Sequence, residues 1–267
     1  MNRQVGVLGC GWLGQPLAEA LLKQGYRVRG SSTRSSKLPA LEQTGVEAFR
    51  ILLTERAIEG PVESFLKGLD VLVINIPPGL RSNPNADLVA RIDLLGLAAR
   101  KAQIPQLVFV SSTSVFGASQ GRVTEDSIPQ PDTLTGKQLL EAESRLLSEG
   151  WTTTQVLRPG GLLGPDRHPV RSLSGKTFAS GGNQRVNLVE QADVLAALQL
   201  LISQPESKGV FHAVYPDHPA KREYYQKKAV ELGIPPPKYL DPAGPPEGKE
   251  VVSRRLTETG FRFTHPI

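Results

Sequence analysis

Short apolar segments alternate with amphipathic segments along the first 160 residues. The apolar segments predict buried strands at residues 4–8, 26–30, 46–52, 70–76, 106–111 and 153–157. Between them, apolar residues recur at three- and four-residue spacing, which predicts helices after residue 13 and at residues 37–43, 61–66, 85–103 and 137–148. Strands joined by helices in this way run parallel, so the pattern predicts an α/β fold with a doubly wound parallel sheet.

The regular alternation weakens after residue 160. Residues 159–185 and 234–248 are rich in glycine and proline, which predicts loops. The other elements predicted in this part are helices at 193–203 and 220–232 and a strand at 209–214. We therefore expect a dinucleotide-binding domain at residues 1–160 and a smaller mixed C-terminal lobe at 161–267, with segments that return to the first domain.

Composition and charge narrow the function classes. The chain has 267 residues, of which 31 are basic and 26 acidic, but the basic residues are scattered and only 6% of residues are aromatic. The sequence shows no row of basic residues that could follow a phosphate backbone and no group of aromatic residues that could stack on bases. We therefore do not expect nucleic-acid binding. A small-molecule substrate is the expected partner. A homodimer is an open alternative to a monomer.

The single cysteine, Cys10, excludes an intrachain disulfide and a multi-cysteine metal site. The histidines lack the spacing of metal ligands, so no metal is expected. The sequence has no signal-peptide pattern and no apolar stretch of bilayer-spanning length. We therefore expect a cytoplasmic protein that does not enter the membrane.

A glycine-rich loop follows the first predicted strand. Gly9, Gly11 and Gly14 form the pattern GxGxxG between a buried strand and a helix. In a Rossmann dinucleotide-binding unit, the first glycine allows the tight turn, the second admits the pyrophosphate, and the third lets helix and strand pack closely. The pattern predicts that a nicotinamide dinucleotide binds at this loop, with Trp12 and Leu13 beside it.

The residues at the end of the second predicted strand indicate whether the cofactor is NAD or NADP. An NAD-binding fold carries Asp or Glu about 20 residues past the first glycine, where it binds the ribose 2′-hydroxyl. Residues 25–41 contain no carboxylate and instead include Ser31, Ser32, Thr33 and Arg34. Hydroxyls and a guanidinium suit a 2′-phosphate, so we predict NADP(H), with NAD as the alternative. A solvent-exposed basic turn is the competing interpretation.

Three later motifs resemble those of one family. Residues 108–117 read VFVSSTSVFG, residues 158–165 read RPGGLLGP and residues 186–194 read VNLVEQADV. In this order they resemble motifs of the extended short-chain dehydrogenases/reductases, the nucleotide-sugar epimerase and dehydratase group. The glycine loop, GCGWLG, and the segment GPDRHP at 164–169 are similar to the atypical branch that includes the YeeZ proteins.

The resemblance implies an oxidoreductase site in which a Ser or Thr acts with a Tyr-x-x-x-Lys pair. Ser112 and Lys137 match the first and last of these residues, but Thr133 stands in the tyrosine position. A threonine hydroxyl is too short, and its pKa too high, for the acid/base work of tyrosine near pH 7. Ser112 also suits a purely structural hydrogen-bonding role. Lys137 suits either the nicotinamide ribose or a solvent-exposed helix surface.

Ligands of doubly wound folds bind beyond the carboxyl ends of the strands, so Ile76 and Pro77 are expected to line the cofactor crevice. Positive charge near this crevice suits an anionic or nucleotide-linked substrate, although a solvated surface explains it equally well. The candidate substrate-binding residues are Arg81, Thr113, Arg158, Arg167, His168 and Arg171.

Two functions follow from these features. The first is an NADP(H)-dependent atypical short-chain reductase, epimerase or dehydratase with a small polar, sugar-like substrate. The second is a non-catalytic dinucleotide-binding protein that senses the NADP(H) redox state or binds a partner through its smaller lobe. A proton donor other than Thr133 beside the nicotinamide would distinguish them.

Overall fold

A computed structural model describes residues 3–80, 83–148 and 151–267. The strands, in chain order, are β1 Gln4–Leu8, β2 Arg27–Ser32, β3 Glu47–Arg50, β4 Leu52–Leu53, β5 Ile58–Glu59, β6 Val71–Ile74, β7 Gln106–Val110, β8 Arg122–Val123, β9 Thr153–Pro159, β10 Gly161–Leu163, β11 Thr177–Phe178, β12 Leu188–Glu190, β13 Gly209–Ala213, β14 Lys238–Tyr239 and β15 Glu250–Val251. The helices are α1 Gly14–Lys23, α2 Leu38–Gln43, α3 Val62–Leu66, α4 Leu88–Lys101, α5 Leu134–Ser148, α6 Pro169–Leu173, α7 Gln191–Ser203, α8 Lys221–Glu231 and α9 Arg254–Glu258.

Within the described residues, seven strands form one sheet in the order β13-β9-β7-β6-β1-β2-β3. Every pairing from β9 across to β3 is parallel. The chain first adds strands on one side of β1 and then crosses to β6 on its other side, so the strand order reverses between β1 and β6. This arrangement confirms the predicted doubly wound parallel Rossmann sheet. In such sheets ligands bind beyond the carboxyl ends of the strands where the order reverses, which here are β1 and β6.

Apolar stripes on the helices cover the sheet. In α1, Leu17 and Leu21 are four residues apart and fully buried, and α1 packs against β1 and β2. Helices α4 and α5 pack against each other, and α5 also packs against a 3-10 turn at Thr113–Val115 that follows β7. The carboxyl end of β7 is therefore held next to α5.

The chain divides into two compact units. The first comprises Met1–Val115, Thr133–Arg158 and Leu195–Val210, and the second comprises Phe116–Asp132, Pro159–Val194 and Phe211–Ile267. The sequence predicted a boundary at residue 160, with segments of the C-terminal lobe that return to the first domain. In the structure, residues 195–210 return to the first unit, and residues 116–132 group with the second.

The second unit contains short parallel strand pairs, β10 with β12, β11 with β14 and β8 with β15. A buried cluster that includes Leu163, Val170, Val186 and Tyr225 lies among α6, α8, β10 and the β12 segment. Segments 159–185 and 234–248 were expected to be loops, and the structure adds β10, α6, β11 and β14 within them. Short elements of this kind lack the long periodic pattern by which a sequence reveals a strand or helix.

No helix in the described ranges combines the length and apolar character needed to cross a bilayer. The same residues bring no three His, Cys, Asp or Glu side chains together as metal ligands.

Candidate cofactor and active site

Two of the three loop glycines are required by the backbone itself. Gly9 has a φ of +102°, and a Cβ on it would lie 2.3 Å from the carbonyl oxygen of Asn75. A Cβ on Gly14 would lie 2.2 Å from the carbonyl oxygen of Gly9. Any side chain at either position would displace backbone atoms, so the tight turn and the close packing of α1 both depend on glycine.

Gly11 differs from its two neighbours in the motif. A Cβ on Gly11 would meet no atom within 4 Å, and the residue is exposed. The Gly11 N–H donates to the Gly9 carbonyl at 2.8 Å, and the Gly11 carbonyl accepts from the Gln15 N–H at 3.0 Å. Open space therefore lies directly beside this backbone, which is where a pyrophosphate approaches in a Rossmann unit.

The amino end of α1 suits an anion. Leu13 occupies the N-cap position, no side chain caps the helix, and its first turn contains no acidic residue. The first N–H groups of a helix lack intrahelical partners and carry partial positive charge. Leu13 itself is buried and Trp12 is half-buried, so both help to seat the loop beside the space at Gly11. The glycine loop and this helix end together fit a dinucleotide pyrophosphate.

Side chains from the two flanking strands hold the Gly9 peptide groups. The Ser31 Oγ accepts from the Gly9 N–H at 3.0 Å, and the Asn75 Nδ2 donates to the Gly9 carbonyl at 2.9 Å. Ser31 is 2% exposed and lies near the carboxyl end of β2. Asn75 directly follows β6, and its N–H donates to the Leu8 carbonyl at 2.9 Å. Sequence analysis missed Asn75, because the predicted strand at residues 70–76 included it, whereas the strand ends at Ile74.

Cys10 is the second residue of the loop, and it is 3% exposed. Its Sγ lies 3.6 Å from the Val7 carbonyl, and burial raises the pKa of the thiol to about 12. The thiol therefore stays protonated at neutral pH, and the side chain acts as a packing residue.

The hydroxyl groups at the end of β2 have two different environments. Ser31 and Ser32 are buried, and the Ser32 Oγ accepts from the Arg34 N–H at 3.2 Å. Their hydroxyls thus accept hydrogen bonds from backbone N–H groups and stabilise the adjoining loop and turn. Thr33 and Arg34 are exposed, and among the described residues no carboxylate lies within ion-pair distance of Arg34. The exposed pair is therefore available to an external anion.

The segment after β6 begins with Ile76, which is half-buried, and Pro77, which is exposed. The Arg91 guanidinium donates to the carbonyl of Pro78 and holds this segment against α4. Arg81, a candidate substrate residue, lies outside the described residues.

Ser112 follows β7 by two residues and is half-buried, and its Oγ accepts from the Ser114 N–H at 3.1 Å. Thr113, a candidate substrate residue, is 6% exposed and begins the 3-10 turn that packs against α5. The structure therefore brings the Ser112 segment next to the helix that carries Lys137.

Thr133 caps α5. Its Oγ1 accepts from the Gly136 N–H at 3.1 Å, and its carbonyl accepts from the Lys137 N–H at 3.0 Å. The helix was expected to begin at residue 137 but begins at Leu134, because the Thr133 side chain satisfies an otherwise unpaired N–H of the first turn. Thr133 and Lys137 are both exposed, so the position of the family tyrosine is a helix cap.

Arg158 does not lie on an open surface. It falls within β9, which runs to Pro159, and is 4% exposed. Its Nε donates to Oε1 of Glu143 at 3.0 Å, and its Nη2 donates to Oε2 at 2.5 Å. Arg158 therefore forms a buried ion pair with Glu143, and its contact with a substrate stays a prediction. Sequence analysis missed Glu143, although this carboxylate lies on the apolar stripe of α5, between Leu139 and Leu146.

The remaining basic candidates belong to the second unit. Arg167 and Arg171 are exposed. His168 has structural partners, because its Nδ1 accepts from the Val170 N–H at 3.1 Å and its Nε2 lies 3.0 Å from the Tyr224 hydroxyl. Burial, together with the charges of Lys228 and Arg171, lowers the pKa of His168 to about 4. The ring is therefore neutral at pH 7, and its geometry is explained by packing rather than by a ligand.

Comparisons with known proteins agree with this geometry. The model of a family described as NAD(P)H-binding matches residues 9–205. The chain is 34% identical to Protein YeeZ of Escherichia coli strain K12, over 99% of this chain and 97% of the relative.

Two solved structures show the same fold. That of MoeE5, in complex with UDP-glucose and NAD, has a TM-score of 0.78 at 21% identity and covers 99% of this chain and 94% of its own. That of UDP-N-acetylglucosamine 4-epimerase from Bacillus cereus has a TM-score of 0.79 at 15% identity and covers 99% and 95%. The comparisons confirm the predicted family resemblance.

Proposed function

The chain belongs to the NAD(P)H-binding family, and from that premise we propose that it is an NADP(H)-dependent reductase, epimerase or dehydratase of the atypical short-chain type. Its proposed substrate is small and polar, of the nucleotide-sugar class. Two structural neighbours motivate this class, because the MoeE5 structure contains UDP-glucose and the Bacillus cereus protein is a UDP-N-acetylglucosamine 4-epimerase.

The observation that carries the proposal is the open space beside Gly11. Gly9 and Gly14 are fixed by contacts within the protein, but Gly11 has no internal contact that would exclude a side chain. The absence of a side chain there leaves room for an external group, next to an uncapped helix end that favours negative charge. A pyrophosphate fits both features.

The preference for NADP(H) rests on charge at the end of β2. Arg34 is exposed, and no carboxylate occurs between residues 25 and 41 to accept the ribose hydroxyls of NAD. A guanidinium pairs with phosphate oxygens through charge-assisted hydrogen bonds. We assign Arg34, with Thr33, to the 2′-phosphate.

The bound dinucleotide would supply hydride-transfer chemistry. We assign Lys137 to the nicotinamide ribose, and the Ser112 hydroxyl to a hydrogen bond with the substrate oxygen. The Thr133 hydroxyl is assigned no proton-transfer role, since it caps α5 and its pKa is far above that of a tyrosine. Arg167 and Arg171 remain proposed contacts for an anionic substrate.

A second candidate function is a non-catalytic NADP(H)-binding sensor. The specific observation in its favour is that the family's tyrosine position is occupied by a helix-capping threonine. Such a protein would bind the dinucleotide through the same loop and would leave a nucleotide sugar unchanged.

Calorimetric titration of NADPH, NADP and NAD into the purified protein tests the shared part of both candidates. Saturable binding that is tighter for NADPH than for NAD is expected, and no binding of any dinucleotide would contradict both functions. Incubation with UDP-glucose or UDP-N-acetylglucosamine and the dinucleotide, followed by proton NMR of the sugar, which distinguishes epimers of equal mass, separates the two candidates. Conversion supports the enzyme, and dinucleotide binding without conversion of any supplied nucleotide sugar favours the sensor.

A further inference from the structure

A buried hydrogen bond joins two elements that carry candidate site residues. The Ser111 hydroxyl donates to Oε1 of Glu143. Ser111 directly precedes Ser112, at the carboxyl end of β7, and Glu143 lies on α5 six residues after Lys137. Six residues correspond to about 9 Å along a helix axis. This bond therefore links Ser112 to Lys137 through only a few residues, and it restrains the position of one relative to the other.

The same carboxylate also binds the neighbouring strand. Glu143 is 1% exposed and holds the Arg158 guanidinium, which is 4% exposed, through the two contacts given above. The Ser111 N–H donates to the Leu157 carbonyl at 2.8 Å, which ties the end of β7 to β9. One buried carboxylate thus connects α5 to the carboxyl ends of two parallel strands, at the edge where ligands bind.

A buried ion pair is an inefficient way to stabilise a core, because removing two charges from water offsets much of their attraction. Apolar side chains would fill the space between α5 and the sheet at a lower desolvation cost. The charged pair instead fixes orientation, because a bidentate contact holds the Glu143 carboxylate in one geometry. Such a constraint matters most where a helix must present a side chain at a fixed place.

We propose that Glu143 is a positioning residue for the nicotinamide half of the cofactor. Through Ser111 and Arg158 it fixes α5 against the strand ends, and so places Lys137 for the nicotinamide ribose opposite Ser112. This inference rests on the proposed function, because it assumes that NADP(H) binds at the glycine loop. In this proposal Glu143 makes no contact with the adenine half of the cofactor, which binds to the glycine loop and Arg34.

A matched control exists on the opposite face of the same strand. Gln155 is fully buried in β9, and its Nε2 donates to the Leu201 and Gln204 carbonyls at 2.9 Å each. It also accepts from the Gln106 side chain at 2.8 Å. Because Gln155 and Arg158 are three residues apart in a strand, they face opposite sides of the sheet. Gln155→Leu therefore removes buried polar contacts without touching α5.

The test compares two probes, NADPH and adenosine 2′,5′-bisphosphate, which lacks the nicotinamide half. In Glu143→Gln we expect the Kd for NADPH to rise about 10-fold, which corresponds to the loss of the one hydrogen bond from Lys137 to the nicotinamide ribose. The Kd for the bisphosphate should change less than about twofold. Gln155→Leu should lower the Tm and leave both Kd values unchanged. Ser111→Ala should repeat the selective loss and Ser111→Thr, which keeps the hydroxyl, should restore NADPH binding.

Equal weakening of both probes in Glu143→Gln, or no weakening of either, would overturn the positioning role alone. If Glu143→Gln does not fold, the Ser111 pair decides the same question, because Ser111→Ala leaves the Glu143–Arg158 ion pair in place. A wild-type protein that binds neither probe would overturn the proposed function and this inference with it.

Discussion

The side-chain amide of Asn75 donates to the carbonyl of Gly9 at 2.9 Å, across 66 positions of sequence. The two residues follow β6 and β1, the neighbouring strands at which the strand order reverses. The bond fixes the carbonyl of Gly9 at the start of the glycine loop. The amino end of α1, a few residues later, has no side-chain cap.

Asn75→Asp should weaken NADPH binding by about 10-fold or more, since it replaces the donor with an acceptor facing the Gly9 carbonyl and adds negative charge beside the pyrophosphate. Titration calorimetry measures the change. Gln24→Glu adds the same charge just past the other end of α1 and should have little effect. Comparable losses in the two variants would contradict a specific role for Asn75.

Gly11→Val should abolish dinucleotide binding and leave the Tm nearly unchanged, because a Cβ at Gly11 meets no atom within 4 Å. Gly14→Ala should instead lower the Tm, since its Cβ would lie 2.2 Å from the Gly9 carbonyl oxygen. Thermal unfolding and NADPH titration of both variants check this contrast. A folded Gly11→Val protein with wild-type affinity would refute the assignment of the loop.

Arg34→Ala should weaken NADP binding by about 10- to 150-fold and leave NAD binding unchanged, because a charge-assisted hydrogen bond contributes roughly 1.5–3 kcal/mol. Added salt should reduce the difference, since an exposed phosphate contact is screened. Arg27→Ala removes an exposed arginine at the other end of β2 and serves as the control. Equal affinities for NADP and NAD in the wild type would make Arg34 an ordinary surface residue.

Thr133→Ala should lower the free energy of unfolding by about 0.5–2 kcal/mol, the usual contribution of a helix N-cap. Thr133→Asp should retain the cap and most of the stability. Once a substrate is known, Thr133→Val should reduce turnover less than about tenfold, against the 100-fold or larger loss caused by removing a true acid/base group. A loss of several hundredfold at unchanged stability would restore a catalytic role to Thr133.

The protein should lose stability as the pH falls from about 6.5 toward 4 through protonation of His168. Burial lowers the pKa of His168 to about 4 in the folded state, so the unfolded chain takes up the proton first. His168→Asn keeps a side chain able to cap α6 but removes the titration. Chemical denaturation at pH 7 and pH 5 should show a smaller loss in the variant. Parallel losses would exclude His168 as the source.

The sequence determined the features whose physics is local. Strand and helix alternation predicted the parallel sheet, because the period of apolar residues reports which face of each element is buried. The glycine motif predicted a tight turn, which the structure contains with a φ of +102° at Gly9. The cofactor preference at Arg34 also came from the sequence, and it stays a prediction.

The tertiary structure decided the partners of the polar side chains. Arg158 was a candidate substrate contact but is buried against Glu143, and His168 packs on Tyr224, 56 positions away. A charged residue in sequence carries no mark of its partner, because the topology of the sheet brings the two together. Desolvation then requires a buried charge to find an opposite charge nearby, and only the folded chain shows which one it finds.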